Sequence, residues 1–77
     1  MPEEQQGLIR YTCLTYKNQP EHIKRKVRRL CDECGGEYSA ALQEVMCSKR
    51  CIRSIALDHH VSESTLYRIR KNFYERW

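Results

Sequence analysis

The chain has 77 residues, 40% of them hydrophobic and 31% charged, with a formal net charge of +4. That length allows one small domain, residues 1–77, with a modest core, and the composition is globular rather than disordered. No apolar run approaches the ~20 residues of a membrane span, and the opening MPEEQQG is unlike a secretion signal, so a cytoplasmic protein with reduced thiols and no membrane partner is expected.

Residues 1–7 are acidic and polar and read as disordered. In the stretch 8–16, LIRYTCLTY, Leu8, Tyr11 and Leu14 have helical spacing, although Tyr, Thr and Ile also favour strands. With no partner strand elsewhere, a helix is expected. Lys17, Asn18, Gln19 and Pro20 end it, because the residue before proline is pushed out of the α region. Pro20 suits the first turn of a second helix, and Glu21 complements its dipole. Ile23, Val27, Leu30, Cys31 and Cys34 then recur at helical spacing, with Lys24, Arg25, Lys26, Arg28 and Arg29 on the rest of the cylinder. Gly35 and Gly36 predict a left-handed cap. Residues 37–46, EYSAALQEVM, form a third helix, with Tyr38, Ala41 or Leu42, Val45 and Met46 as its apolar stripe.

After a link at residues 47–50 comes IRSIALDHHVSESTLYRIRK, residues 52–71. It has the spacing of two short helices joined by a tight turn. Ile55 and Ala56 belong to the first, Val61 follows the turn, Ser62 is a good N-cap, and Leu66 and Ile69 share one face of the second. This stretch resembles the helix-turn-helix of DNA-binding regulators, in the I-A-x-x-x-x-V-S-x-S-T-L-Y-R form found in bacterial and phage proteins. The usual turn glycine is replaced by His60, so a residue with a Cβ has to take a positive φ. More loosely, residues 21–77 resemble the DNA-binding end of sigma-factor-like regulators, including small phage regulators of late transcription. The fold expected is all-α, a small bundle of four to five helices with the helix-turn-helix at its C-terminal end.

The resemblance implies a sequence-specific transcription regulator of phage or mobile-element type, with a recognition helix at about 62–74 in the major groove of double-stranded DNA. Ser62, Glu63, Ser64, Thr65, Tyr67, Arg68 and Lys71 are the candidate DNA-binding residues. Arg reads guanine edges, Glu accepts from cytosine, and hydroxyls hold phosphates. Lys24, Arg25, Arg28 and Arg70 are candidate phosphate contacts, since clustered cations release condensed counterions from a polyphosphate. The alternative for such a basic run is a solvated helix face. A weak homodimer is expected, with Tyr74 and Trp77 as candidate contacts, and RNA polymerase is a conceivable partner. A rival reading is a protein-interaction module that docks on the transcription machinery.

The cysteines carry the other rival. Five is an odd count, which argues against a disulfide framework. Cys31, Cys34, Cys47 and Cys51 have a spacing plausible for tetrahedral zinc, and CDECG and MCSKRC resemble treble-clef zinc modules. This gives the alternative of a zinc-stabilised nucleic-acid-binding module. Against it, a helix at 37–46 rises about 15 Å and holds the pairs apart. Cys31 and Cys34 also fall on an apolar face, where a free thiol is an ordinary core residue. The expectation is no bound metal and no other cofactor. His59 and His60 are adjacent and point apart, unsuited to a ligand pair. No nucleophile, base and orienting group form a constellation, so no catalytic residues are assigned and no enzyme is expected.

Overall fold

A computed structural model describes residues 3–77, and within them every regular element is helical. Five α-helices follow one another: α1 Glu3–Leu14, α2 Glu21–Gly35, α3 Ser39–Cys47, α4 Ile52–His59 and α5 Glu63–Arg76. Single 3₁₀ turns lie at Tyr16–Asn18 and Gly36–Tyr38. The all-α class expected from the sequence is the class adopted. Among the described residues no helix is long and apolar enough to cross a membrane.

Local chemistry sets the ends of these helices, and several differ from expectation. Residues 3–7, expected to be disordered, are the first turns of α1. Glu3 and Glu4 complement the positive end of the helix dipole there, and Gln5 and Gln6 are good helix formers. The expectation for Met1 and Pro2 lies outside the described residues. α1 stops at Leu14, short of the expected Tyr16, where Thr15 turns its hydroxyl back onto the Tyr11 carbonyl at 2.9 Å. Pro20 stands one residue before α2 rather than in its first turn; its extended backbone presents its carbonyl to the amides of Ile23 and Lys24. Gly36 has φ 55° but ψ −120°, so the end of α2 is a glycine turn and not the left-handed cap expected. The third helix starts at Ser39, two residues later than Glu37, because Gly36–Tyr38 forms the 3₁₀ turn.

α3 lies at the centre. Ala41, Leu42, Val45 and Met46 are all buried, and the helix packs against α1, α2, α4 and α5. Val27, Leu30 and Cys31 of α2, Ile55 and Ala56 of α4, and Leu66, Ile69 and Phe73 of α5 close over it. Each fully buried Leu, Ile, Met or Phe contributes roughly 1.5–3 kcal/mol. Polar side chains stay outside, and no described buried side-chain nitrogen or oxygen lacks a partner. The radius of gyration, 11.6 Å, matches the ~11.5 Å of a compact chain of this length. α1 buries two residues, Ile9 and Cys13, and packs chiefly on α3.

Between α4 and α5 the chain reverses through His60, Val61 and Ser62. His60 adopts the left-handed conformation, φ 54° and ψ 44°, and its N–H caps α4 at the Leu57 carbonyl. The Val61 amide donates to the Ala56 carbonyl at 2.9 Å. Among the described residues, His60 and Gly36 alone have positive φ, and they yield substitutions of opposite sign. His60→Gly should raise stability by about 1 kcal/mol by releasing the Cβ clash. Gly36→Ala should lower it by about 1–3 kcal/mol. Denaturant melts of the two variants beside the parent protein check both.

Candidate nucleic-acid interface

α5 is built to show one face. Ser62 is its N-cap: its hydroxyl accepts from the Thr65 amide at 3.2 Å and lies 2.7 Å from the Thr65 hydroxyl. A cap of this kind is worth about 1 kcal/mol. Leu66, Ile69, Phe73 and Tyr74 turn inward. The opposite side leaves Ser62, Glu63, Ser64, Tyr67, Arg68 and Lys71 exposed, with Thr65 half-buried under the cap. The seven candidate DNA-binding residues therefore lie together along the first two and a half turns. Arg68 and Lys71 form no ion pair with any described residue, whereas Arg70 lies 5.1 Å from the Tyr67 ring in a cation–π contact. Gln6 of α1 joins Tyr67, Arg70, Lys71 and Tyr74 around a shallow cleft beside this face.

The basic residues of α2 are more engaged. Arg25 and Arg28 share the Glu21 carboxylate at 3.8 and 3.0 Å, and Arg29 and Arg76 share Glu33 at 3.9 and 3.7 Å. Lys24 lies over Tyr16 and Lys26 over Trp77, its ammonium 4.2 Å from the ring centre. These pairs are exposed and individually weak, so a stronger anion can displace them. As phosphate contacts, Lys24, Arg25 and Arg28 begin from existing partners.

Two further cations come from a stretch the sequence reading passed over. Lys49 and Arg53 flank the start of α4, both exposed and without an ion pair to a described residue. The signal was present as the three basic residues Lys49, Arg50 and Arg53 of the run KRCIR. Arg50 itself is committed: it bridges Glu44 at 3.1 Å and Asp58 through a short contact. His59 also approaches Glu44, at 3.4 Å. This cluster ties α3 and the link after it to the C-terminal end of α4.

Tyr74 and Trp77, expected as dimer contacts, are largely spent within the fold. Tyr74 is 9% exposed, and Trp77 packs partly buried on Phe73, ring centres 5.9 Å apart. The stripe of Leu66 and Ile69 runs on to Phe73 and Trp77, which pulls the end of α5 onto α2. The large apolar side chains that do face solvent are Leu8, Tyr11, Leu57 and Tyr67.

The zinc set is not assembled. Cys31 and Cys34 lie in the last turns of α2, Cys47 ends α3 and Cys51 stands exposed before α4. Among the described residues no three of His, Cys, Asp and Glu converge as a metal site would require. Cys31 is instead a core thiol, pushed up to about 12 by burial. Comparison of the chain with protein-family models, curated proteins and solved structures gives no match.

Two outcomes follow. EDTA should leave the helical circular-dichroism signal and the melting temperature unchanged, and a collapse of either would restore the zinc reading. The hydrogen bond from Arg50 and its charge hold the Asp58 carboxyl below its ordinary 3.8. That stabilisation is present above the unfolded-state value and is lost as pH falls through the lower folded-state value. Asp58→Asn should therefore melt below the parent protein at neutral pH, with the gap closing as both are titrated into strong acid.

Proposed function

We propose that the chain is a sequence-specific double-stranded-DNA-binding module, with α4 and α5 forming a helix-turn-helix and α5 entering the major groove. The observation that carries this is the row Ser62, Glu63, Ser64, Tyr67, Arg68 and Lys71, exposed on a capped helix whose other face is locked in the core. A rigid helix with donors, acceptors and cations along one face is what base-edge reading needs. Arg68 is assigned the bidentate guanine contact, Glu63 a cytosine amine, and Lys71 and the hydroxyls the backbone. Arg70, over the Tyr67 ring, and Lys49 and Arg53, exposed at the start of α4, are assigned phosphates, with Lys24, Arg25 and Arg28 as peripheral contacts. The resemblance of residues 52–71 supports a transcription regulator of phage or mobile-element type. A weak homodimer on paired half-sites and contact with RNA polymerase belong to the same proposal.

A protein-interaction role is the second reading, favoured by Leu8 and Tyr11, which stand exposed three residues apart on α1. Selection of binding sites from random DNA separates the two, because an interaction module enriches no sequence. On the selected site, Arg68→Ala should cost roughly 1–3 kcal/mol and relax discrimination at one base pair. Replacing Lys49 and Arg53 together should instead weaken all sequences alike and reduce the log–log salt slope by about 2. A folded Arg68→Ala protein that keeps the parent ratio of specific to random binding would sink the assignment of α5 as the reading helix.

A further inference from the structure

The outer side of α1 carries apolar surface that the rest of the fold leaves uncovered. Ile9 and Cys13 turn into the core, whereas Leu8 and Tyr11 stand 69% and 67% exposed. Beside Leu8, a groove lies open between Gln5, Ile9 and Trp77. Thr12 and Thr15 fold their hydroxyls back onto the Leu8 and Tyr11 carbonyls at 3.0 and 2.9 Å. Covering this side therefore strands neither hydroxyl. Gly7 adds a separate observation. A glycine inside an exposed helix weakens it relative to alanine, and a Cβ at this position would meet nothing within 4 Å. The packing of the chain itself does not require the missing side chain, whereas a closely approaching second helix would.

We infer that this side of α1 is the surface through which two copies of the chain pair, their α1 helices antiparallel. The distribution of charge selects a second copy as the occupant. Glu3 and Glu4 occupy the first turn of α1, Lys17 follows its last, and no acidic residue lies between Glu4 and Glu21. All three charges are exposed. A two-fold axis between Leu8 and Tyr11 sets each Leu8 against the partner's Tyr11. In that register Glu3 lies opposite the partner's Tyr16, next to the partner's Lys17. Each acidic end thus meets a cation, and the two helix dipoles oppose one another. A parallel pair would bring the four glutamates together. The area agrees with a weak pair. α1 has 12 residues, about 18 Å by 10 Å, so it covers roughly 200 Å² on each copy, against the ~800 Å² per partner of a stable interface.

The other exposed apolar side chains do not offer such a face. Leu57 stands alone on α4, and Tyr67 lies under Arg70 in the proposed reading row. Pairing through α1 also leaves that row open. Gln6, which meets α5 at the cleft beside it, lies about 160° round the helix from Leu8. The inference deepens the proposed function by giving its weak homodimer a surface. Its test uses no DNA, so it can fail while the DNA reading stands, and the reverse.

Sedimentation velocity of the reduced full chain, from about 10 μM to about 1 mM, is the measurement. The average mass should rise with concentration from 9.3 kDa towards twice that value. Leu8→Asp should stay monomeric throughout and keep the parent's helical signal, because the side chain it replaces is exposed. A second arm mixes two variants. A chain with Glu3→Lys and Glu4→Lys, and a chain with Lys17→Glu, should each pair roughly three- to tenfold more weakly than the parent, since like charges then meet at both ends. An equimolar mixture of the two should recover the parent's association, because each acidic end again faces a cation on the other copy. Fraying of a first turn that carries lysines would not be mended by mixing. A parent chain that stays at 9.3 kDa to the highest concentration overturns the inference. A dimer that Leu8→Asp leaves intact does so equally, as does a mixture that pairs no more tightly than its components. The mixing arm decides the matter even if Leu8→Asp does not fold.

Discussion

The fold depends on burying one short helix. α3 has nine residues, too few to hold helical structure in water by itself. Yet it is the helix that all four others touch, and its residues at 41, 42, 45 and 46 are each no more than 1% exposed. The whole stripe is therefore covered by the helices packed around it. None of the outer helices has a second core to fall back on. A chain with so little apolar surface stays folded because its helices share one centre and are not stacked in pairs.

This arrangement also fixes what α5 can show. Leu66, Ile69 and Phe73 are pinned against α3 and α2, so the helix cannot roll, and the residues opposite them face solvent. The entry to α5 is fixed as firmly. The left-handed turn at His60, the Val61-to-Ala56 hydrogen bond and the Ser62 cap occupy consecutive residues and leave no slack. Beside that turn, at the C-terminal end of α4, Arg50 holds Glu44 and Asp58 together and ties that helix to α3. The proposed reading face is thus presented by several independent constraints, each of modest strength.

Much of this was legible in the sequence because it is local. The spacing of Ile23, Val27, Leu30 and Cys31 gives α2, that of Ala41, Leu42, Val45 and Met46 gives α3, and the cap at Ser62 follows from its hydroxyl. The positive φ at His60 was foreseeable from the motif the stretch resembles. What escaped depends on residues far apart in the chain. Nothing near Tyr74 says that it will be buried, although following the Leu66 and Ile69 stripe to Phe73 would have suggested as much. The sharing of Glu21 between Arg25 and Arg28 depends on rotamers that spacing leaves open. Cys31, Cys34, Cys47 and Cys51 do not converge as a metal site among the described residues, because helix packing and not ligand spacing decides where each sulfur lies. The early start of α1 was masked by its polarity: a helix with little to bury resembles a loose end.

The single tryptophan has a consequence of a different kind. Trp77 lies against Phe73 with the Lys26 ammonium over its ring, so α5 and α2 meet at this indole. It stands at the far end of α5 from the Ser62 cap. Its fluorescence is consequently a built-in optical gauge of whether the end of α5 remains seated on α2. Separation of the two helices would carry the indole into water and shift its emission to the red. An anion settling on the start of α5 would leave that signal nearly untouched, so folding and surface occupancy can be followed on separate channels in one unlabelled sample.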